Sequence, residues 1–106
     1  MSEYIEADPE KTAYGFLTQA AEIMHQRGQQ YDADSGERSM GKAVGAFNII
    51  TGHRLKESEG WLLLQLLKDV RQWQKKGFHA DSAVDCVAYA ALKGEALAKE
   101  GGDSGR

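Results

Sequence analysis

The sequence predicts an all-α protein, a four-helix bundle completed by dimerisation. Apolar residues recur at helical spacing in four segments, capping residues or glycines separate these segments, and no stretch alternates as a strand would. The chain has 106 residues, 42% hydrophobic and 27% charged, values typical of one globular domain. We therefore expect a single four-helix domain over residues 9–99, a flexible segment over 1–8 and a disordered tail over 100–106.

The first two helices are expected to begin at acidic caps and to end at glycines. In "DPEK", Asp8 can cap a helix whose first position is proline, and Gly28 ends that segment. In "DSGE", Asp34 and Glu37 have the spacing of a capping box, and Gly52 ends the second helix. The apolar stripe of the second helix comprises Met40, Ala43, Val44, Phe47 and Ile50.

The third helix is expected from about Glu57 to Lys76, with Gly77 ending it. Acidic residues cluster at its start and basic residues at its end, which matches the helix dipole. Its apolar face comprises Leu62, Leu63, Leu66, Leu67, Val70 and Trp73.

The fourth helix is expected from about Asp81 to Lys99 and is rich in small residues, which allow a neighbouring helix to approach closely. These small residues are Ala83, Ala88, Ala90, Ala91, Gly94, Ala96 and Ala98. Because both faces of this helix need covering in so short a chain, we expect a homodimer whose interface includes helices three and four. A tightly packed monomer is the alternative.

Charge and composition exclude several classes of protein. The net charge of −3, from 16 acidic and 13 basic residues, argues against a nucleic-acid binder with a basic face. The single cysteine, Cys86, can form neither an internal disulfide nor a cysteine metal site. The N-terminus does not resemble a signal peptide, and the longest apolar run, "WLLLQLL", is too short to span a membrane. We expect a cytoplasmic protein.

Acidic residues at the start of helix four form a candidate metal site. Asp81 and Asp85 lie four residues apart, so two like charges share one helix face unless a cation lies between them. Mg²⁺ is commonly held by one or two carboxylates together with substrate phosphates. Each acid has a structural alternative: Asp81 can cap the helix, and Asp85 can form a salt bridge with Lys68 or Arg71. Glu59 is either a third ligand or a complement to the helix dipole.

Basic residues on helix three form a candidate phosphate site. Lys68 and Arg71 are one turn apart, on a face that also carries Trp61 and Gln65 and lies beside the leucines. An arginine fork and a lysine point charge can together bind a phosphate chain. The alternative is a solvated face with Lys68 paired to an acid. His79, just before helix four, is either a loop residue or a phosphate contact.

Four segments together resemble a family of small, uncharacterised phage and prophage proteins. These segments are "RGQQYD", "ERSMGKAVGAFN", "LLLQLLKDVR" and "DSAVDCVAYAALKGEAL". The resemblance covers roughly residues 16–98, and that family is in turn similar to the MazG-like all-α nucleotide pyrophosphohydrolases.

This resemblance implies a dimeric helical bundle, in the cytoplasm of a bacterial host, that binds a nucleoside triphosphate through Mg²⁺. MazG-like enzymes release a nucleoside monophosphate and pyrophosphate. Asp85 matches the last acid of their metal motif and Asp81 lies one residue from the preceding acid, while Lys68 and Arg71 match basic positions of the phage family. The predicted helices contain no ExxE pair, so half of the expected metal cluster is missing.

Three functions remain open. The first is a pyrophosphohydrolase in which Asp81 and Asp85, assisted by Glu59, hold Mg²⁺, and Trp61 or Tyr89 stacks on the base. The second is a non-catalytic nucleotide-binding module on the same scaffold. The third is an interaction protein in which Asp85 is only salt-bridged.

Overall fold

The fold consists of four α-helices, seen in a computed structural model that describes residues 8–30 and 39–101, without the side chains of 28–30. A 3₁₀ turn, Pro9–Lys11, precedes α1 (Ala13–Gln30), α2 (Ser39–Thr51), α3 (Glu57–Gln74) and α4 (Ala80–Gly101). These described residues contain no strand, so the all-α prediction is confirmed. The capping box at Asp34 and Glu37 lies outside them, as do residues 1–7 and 102–106 of the predicted terminal segments 1–8 and 100–106.

Most helix ends fall within three residues of their predicted positions. Gly52 ends α2 with a φ of 78°, a left-handed conformation that glycine adopts without steric cost. Asp8 accepts a hydrogen bond from the Glu10 amide at 3.0 Å, but it caps the 3₁₀ turn rather than α1. The side chain of Thr12 accepts from the Gly15 amide at 3.0 Å and so satisfies the first turn of α1 instead.

Helix α4 is central, because it packs against both α1 and α3. Its buried positions follow one stripe: Ser82, Val84, Ala88, Leu92 and Ala96. On the α1 side, Ala20 packs with Val84 and Ala88, and on the α3 side, Trp61 packs with Leu92 and Ala96. Of the small residues of α4, Ala88 and Ala96 are thus used for close packing within one chain, whereas Ala91, Gly94 and Ala98 are exposed.

Helix α2 packs on the start of α3 at Gly60. A Cβ atom on Gly60 would lie 2.5 Å from the Met40 sulfur and 2.9 Å from a Val44 methyl group, so only glycine fits without a shift. Farther along α2, the Asn48 amide donates to the Leu55 carbonyl at 2.9 Å and its oxygen accepts from the Leu55 amide at 2.8 Å. These paired bonds fix the turn between α2 and α3.

Two carboxylates accept hydrogen bonds from backbone amides at the start of α3. Glu59 accepts from the Lys56 amide at 2.8 Å. Glu100, near the end of α4, accepts from the Ser58 amide at 3.0 Å and from its hydroxyl at 2.7 Å. These hydrogen bonds stabilise the ionised form and hold the pKa of Glu100 below its ordinary value. The start of α3 therefore depends on a residue 42 positions later in the chain.

The apolar face of α3 is largely exposed, contrary to the expectation that the amphipathic pattern marks the packed side of a helix. We call Leu62, Leu63, Leu66, Leu67, Val70 and Trp73 the leucine face; their exposed fractions run from 39% for Leu62 to 83% for Trp73. The neighbouring face of α3 is buried instead, and Trp61 on that face is only 5% exposed. The reason is that α4 packs on the Trp61 side of α3, whereas α2 packs near its first turn.

The predicted apolar stripe of α2 is also only partly buried, since Val44 is buried but Ile50 is 81% exposed. None of the helices in the described ranges is long and apolar enough to cross a membrane.

Candidate functional site

A cavity of about 230 Å³ lies where the four helices meet. Its apolar wall includes Met24, Met40, Leu64, Trp61, Tyr89 and Leu92. The rings of Trp61 and Tyr89 form one side, with their centroids 5.8 Å apart and their planes at 30°. The two residues proposed from the sequence for base stacking therefore line the same cavity, although Trp61 is almost fully buried.

Arg27 brings a positive charge to this cavity. It lies in the last turn of α1 and is half-buried, and no described residue forms a salt bridge with it. Ser39, the first residue of α2, adds a hydroxyl group to the same lining. Arg27 gives no signal in the sequence, because one arginine before a glycine has no spacing that distinguishes it from a surface residue.

A salt bridge lies in the groove between α3 and α4. The Lys68 ammonium lies 2.9 Å from a carboxylate oxygen of Asp85, and the two side chains are only 13% and 17% exposed. The pair lies on the cavity stripe of each helix, because Lys68 is seven residues from Trp61 and Asp85 is four from Tyr89. The structural alternative for Asp85, a salt bridge with Lys68, is thus what the structure shows.

One unsatisfied acceptor lies between the aromatic pair and the salt bridge. The side-chain oxygen of Gln65 is buried, and no hydrogen bond reaches it from the described part of the chain. Gln65 is four residues from Trp61 and three from Lys68, so the three residues share one face of α3. Buried acceptors are rarely left without a donor, so this oxygen is suited to a donor from a water or a ligand.

Cys86, on α4 beside Asp85, is not suited to nucleophilic chemistry. Its thiol donates to a carboxylate oxygen of Asp69 at 3.2 Å. Burial, the hydrogen bond to Asp69 and the negative charges of Asp69 and Asp85 raise its pKa to about 11, although Lys68 opposes them. Because the thiolate is the nucleophile, this cysteine is unreactive at neutral pH.

The other predicted site residues lie apart from the salt bridge. Asp81 is exposed in the first turn of α4. Glu59 lies at the opposite end of α3, nine residues or about 13 Å along the helix from Lys68. Arg71 is exposed and, with Lys75 and His79, lines an open cleft at the other end of the groove.

His79 itself is tied to its neighbours. Its amide donates to the Gln72 side chain at 2.9 Å, and its ring contacts the Ser82 hydroxyl at 2.5 Å. The structure therefore supports its interpretation as a loop residue that fixes the turn before α4.

The three acids predicted to hold Mg²⁺ do not all lie together, since Glu59 is at the far end of α3 from Asp81 and Asp85. Asp85 is neutralised by Lys68, and Glu59 caps the start of α3. Among residues 8–30 and 39–101, no group of three or more His, Cys, Asp or Glu side chains is placed to hold a metal ion. The metal roles of Asp81, Asp85 and Glu59 remain predictions of the sequence.

Comparison with known proteins identifies a family but no characterised relative. No curated protein and no solved structure matches the chain. Residues 15–97, which include all the cavity residues named above, match one protein family along most of the chain. The chain belongs to the family described as a domain of unknown function, DUF6378.

Proposed function

We propose that the protein binds a nucleotide in the cavity between its four helices. The observation that carries this proposal is the joint lining of that cavity by the Trp61–Tyr89 ring pair and by Arg27, a cation without a described partner. An apolar, aromatic cavity with a single positive charge suits a ligand that is flat and apolar at one end and anionic at the other.

The base of the nucleotide would contact the aromatic pair. Stacking of a base on an aromatic side chain contributes roughly 1–3 kcal/mol and tolerates different bases. Tyr89 presents more accessible surface than Trp61, so Tyr89 would make the direct contact and Trp61 would support its ring. The unsatisfied oxygen of Gln65 lies on the same side of α3 but does not line the cavity, so a buried water would connect it to the base.

The phosphates would contact Arg27 first. A guanidinium group can donate two parallel hydrogen bonds to one phosphate, and Arg27 has no salt bridge to break within the described residues. Lys68 and Arg71 remain predicted contacts for a longer phosphate chain. Lys68 would have to exchange its bond with Asp85 for one with phosphate, which costs part of the salt bridge.

The positions of the acidic residues favour nucleotide binding without hydrolysis. A MazG-like scaffold and Mg²⁺-dependent release of pyrophosphate stay predictions of the resemblance, as do a phage origin and a cytoplasmic location. Within the described residues Asp85 is paired with Lys68 and Glu59 accepts a hydrogen bond at the start of α3, so we derive no hydrolytic step. Incubation with nucleoside triphosphates and Mg²⁺ tests this directly: pyrophosphate release above that of a heat-denatured sample would establish hydrolysis.

A thermal-shift screen tests binding. Ribo- and deoxyribonucleotides carrying one to three phosphates are compared with the free nucleosides, with and without Mg²⁺. A ligand at 100 times its Kd stabilises the protein by about 2.7 kcal/mol, which corresponds to an increase in Tm on the order of 10 °C for a domain of this size.

Matched arginine variants connect the result to the cavity. Arg27→Ala should weaken binding at least tenfold, since a charged hydrogen bond contributes about 1.5–3 kcal/mol. Arg54→Ala, which removes an exposed arginine outside the cavity, should leave the Tm shift unchanged. A Tm that no nucleotide changes, or equal losses in the two variants, would contradict the proposal.

A further inference from the structure

The leucine face of α3 is too large to be an ordinary exposed surface. Its six residues run along about three turns of one helix, and each is at least 39% exposed. These fractions correspond to roughly 600 Å² of apolar surface, at the upper limit of the largest patch on a typical monomer. A stable dimer needs roughly 800 Å² from each partner, so this face with its flanking residues supplies most of such an interface.

We propose that this face docks on the same face of a second copy of the chain, with the two α3 helices antiparallel. This interface differs from the one expected from the small residues of α4, because it is formed by α3 alone and two of those small residues, Ala88 and Ala96, already pack inside the chain. The proposal does not depend on nucleotide binding, since the cavity lies on the Trp61 side of α3 and the leucine face on the other.

The charges at the two ends of α3, together with its helix dipole, determine the orientation. Glu57 and Glu59 lie in the first turn of α3, whereas Arg71 lies in its last turn and Lys75 just follows it. None of these four residues forms a salt bridge with another described residue. Antiparallel pairing brings the acidic end of each helix to the basic end of its partner, and it also opposes the helix dipoles. Parallel pairing would bring like charges together at both ends.

The position of the two-fold axis follows from the apolar stripe. An axis passing between Leu66 and Leu67 places Leu66 against the partner's Leu67 and Leu63 against the partner's Val70. The same axis places Glu59 one residue from the partner's Lys75. Apolar residues thus meet along the centre, and the acidic first turn of each helix lies beside the basic last turn of its partner, over a helix about 27 Å long.

Light scattering on the purified full chain, without nucleotide, tests the association. Between about 1 and 100 μM, the range in which interfaces of this size form, wild-type protein should have twice the monomer mass of 11.6 kDa. Leu66→Glu and Leu63→Lys should each be monomeric with unchanged helix content, because both leucines are exposed in the single chain. Leu17→Glu is the control, since Leu17 is 57% exposed on α1 and should not affect the mass. Monomeric wild-type protein throughout, or α3 variants that stay dimeric, would overturn the proposal.

Disulfide cross-linking tests the orientation in a Cys86→Ala background. Leu63→Cys and Val70→Cys chains should cross-link when mixed under oxidising conditions, whereas neither should link efficiently to itself. Trp73→Cys should remain uncross-linked, because antiparallel pairing separates the two copies of that position. Efficient self-linking of Trp73→Cys, or a mixture that fails to link, would overturn the antiparallel arrangement.

Discussion

Removing one member of the Lys68–Asp85 salt bridge should destabilise the fold substantially. The two charges lie 2.9 Å apart, and the side chains are 13% and 17% exposed. Asp85→Asn would leave the Lys68 ammonium in this shielded position with a neutral partner. Lys68→Met would leave the Asp85 carboxylate without its cation.

The magnitude follows from the distance and the exposure. At 2.9 Å and an effective dielectric constant of about 20, the gross attraction is about 6 kcal/mol, but desolvation of both charges offsets much of it. Breaking a fully buried pair costs about 3–5 kcal/mol, and breaking an exposed pair costs about 0–1 kcal/mol. For this mostly shielded pair we expect each single substitution to cost about 2–3 kcal/mol, a decrease in Tm on the order of 10–15 °C.

A double-mutant cycle measures the interaction itself. Because the double variant leaves neither charge unpaired, it should be less destabilised than the sum of the single variants, with a coupling energy of about 2 kcal/mol. Urea unfolding followed by circular dichroism supplies the free energies. All variants are compared at one protein concentration, so that association does not change between samples.

The change in stability caused by Asp85→Asn has opposite signs if Asp85 is a metal ligand and if it is a salt-bridge partner. A carboxylate that is poised for a metal and repelled by Asp81 would be relieved by the substitution, and stability would rise. A salt-bridged carboxylate gives the opposite sign. Asp81→Asn is the matched control, because Asp81 is exposed and should change stability by less than about 0.5 kcal/mol. A more stable Asp85→Asn variant, or no coupling in the cycle, would refute the reasoning.

Two further predictions concern the first turn of α3. Gly60→Ala should lower the free energy of unfolding despite alanine's better helix propensity, because the new methyl group would lie 2.9 Å from a Val44 methyl group. Gly94→Ala is the control, since no atom lies within 4 Å of the new methyl group. This control substitution should raise the free energy of unfolding by about 0.5–1 kcal/mol. Urea unfolding checks both, and equal effects would contradict the close packing at Gly60. Glu100→Gln should lower the urea midpoint at pH 7. Hydrogen bonds from Ser58 lower the pKa of Glu100 in the folded state. The difference in stability between variant and wild type should therefore disappear as the pH falls through that pKa. Parallel stability curves down to acid pH would contradict this role.

The helices could be predicted from the sequence because their signals are local. Gly52 ends α2 as a glycine in the left-handed region does, and the acids at Glu57 and Glu59 mark the first turn of α3. Such signals need only the residues within one turn. Which face of a helix is buried depends on the other helices, and here the pattern of α3 marked the leucine face while α4 packed against the Trp61 side.

The site was only partly predictable for the same reason. The sequence predicted a salt bridge with Lys68 or Arg71 as one alternative for Asp85, and a metal ligand as the other. The 2.9 Å contact between Asp85 and Lys68 depends on the register of α3 against α4, which no single helix encodes. Arg27 reaches the cavity only because α1 ends beside Trp61 and Tyr89, so its role becomes visible when the helices are assembled.

The hydrogen bonds from Ser58 to Glu100 have a consequence for how the protein is made. Glu100 follows Ser58 by 42 positions, which require several seconds of synthesis at roughly 5–20 residues per second. During that interval two donors of Ser58, at the start of α3, lack their acceptor. The nascent chain therefore carries an incompletely capped α3 until α4 has emerged, and the first turn of α3 gains these two bonds only when the helices pack.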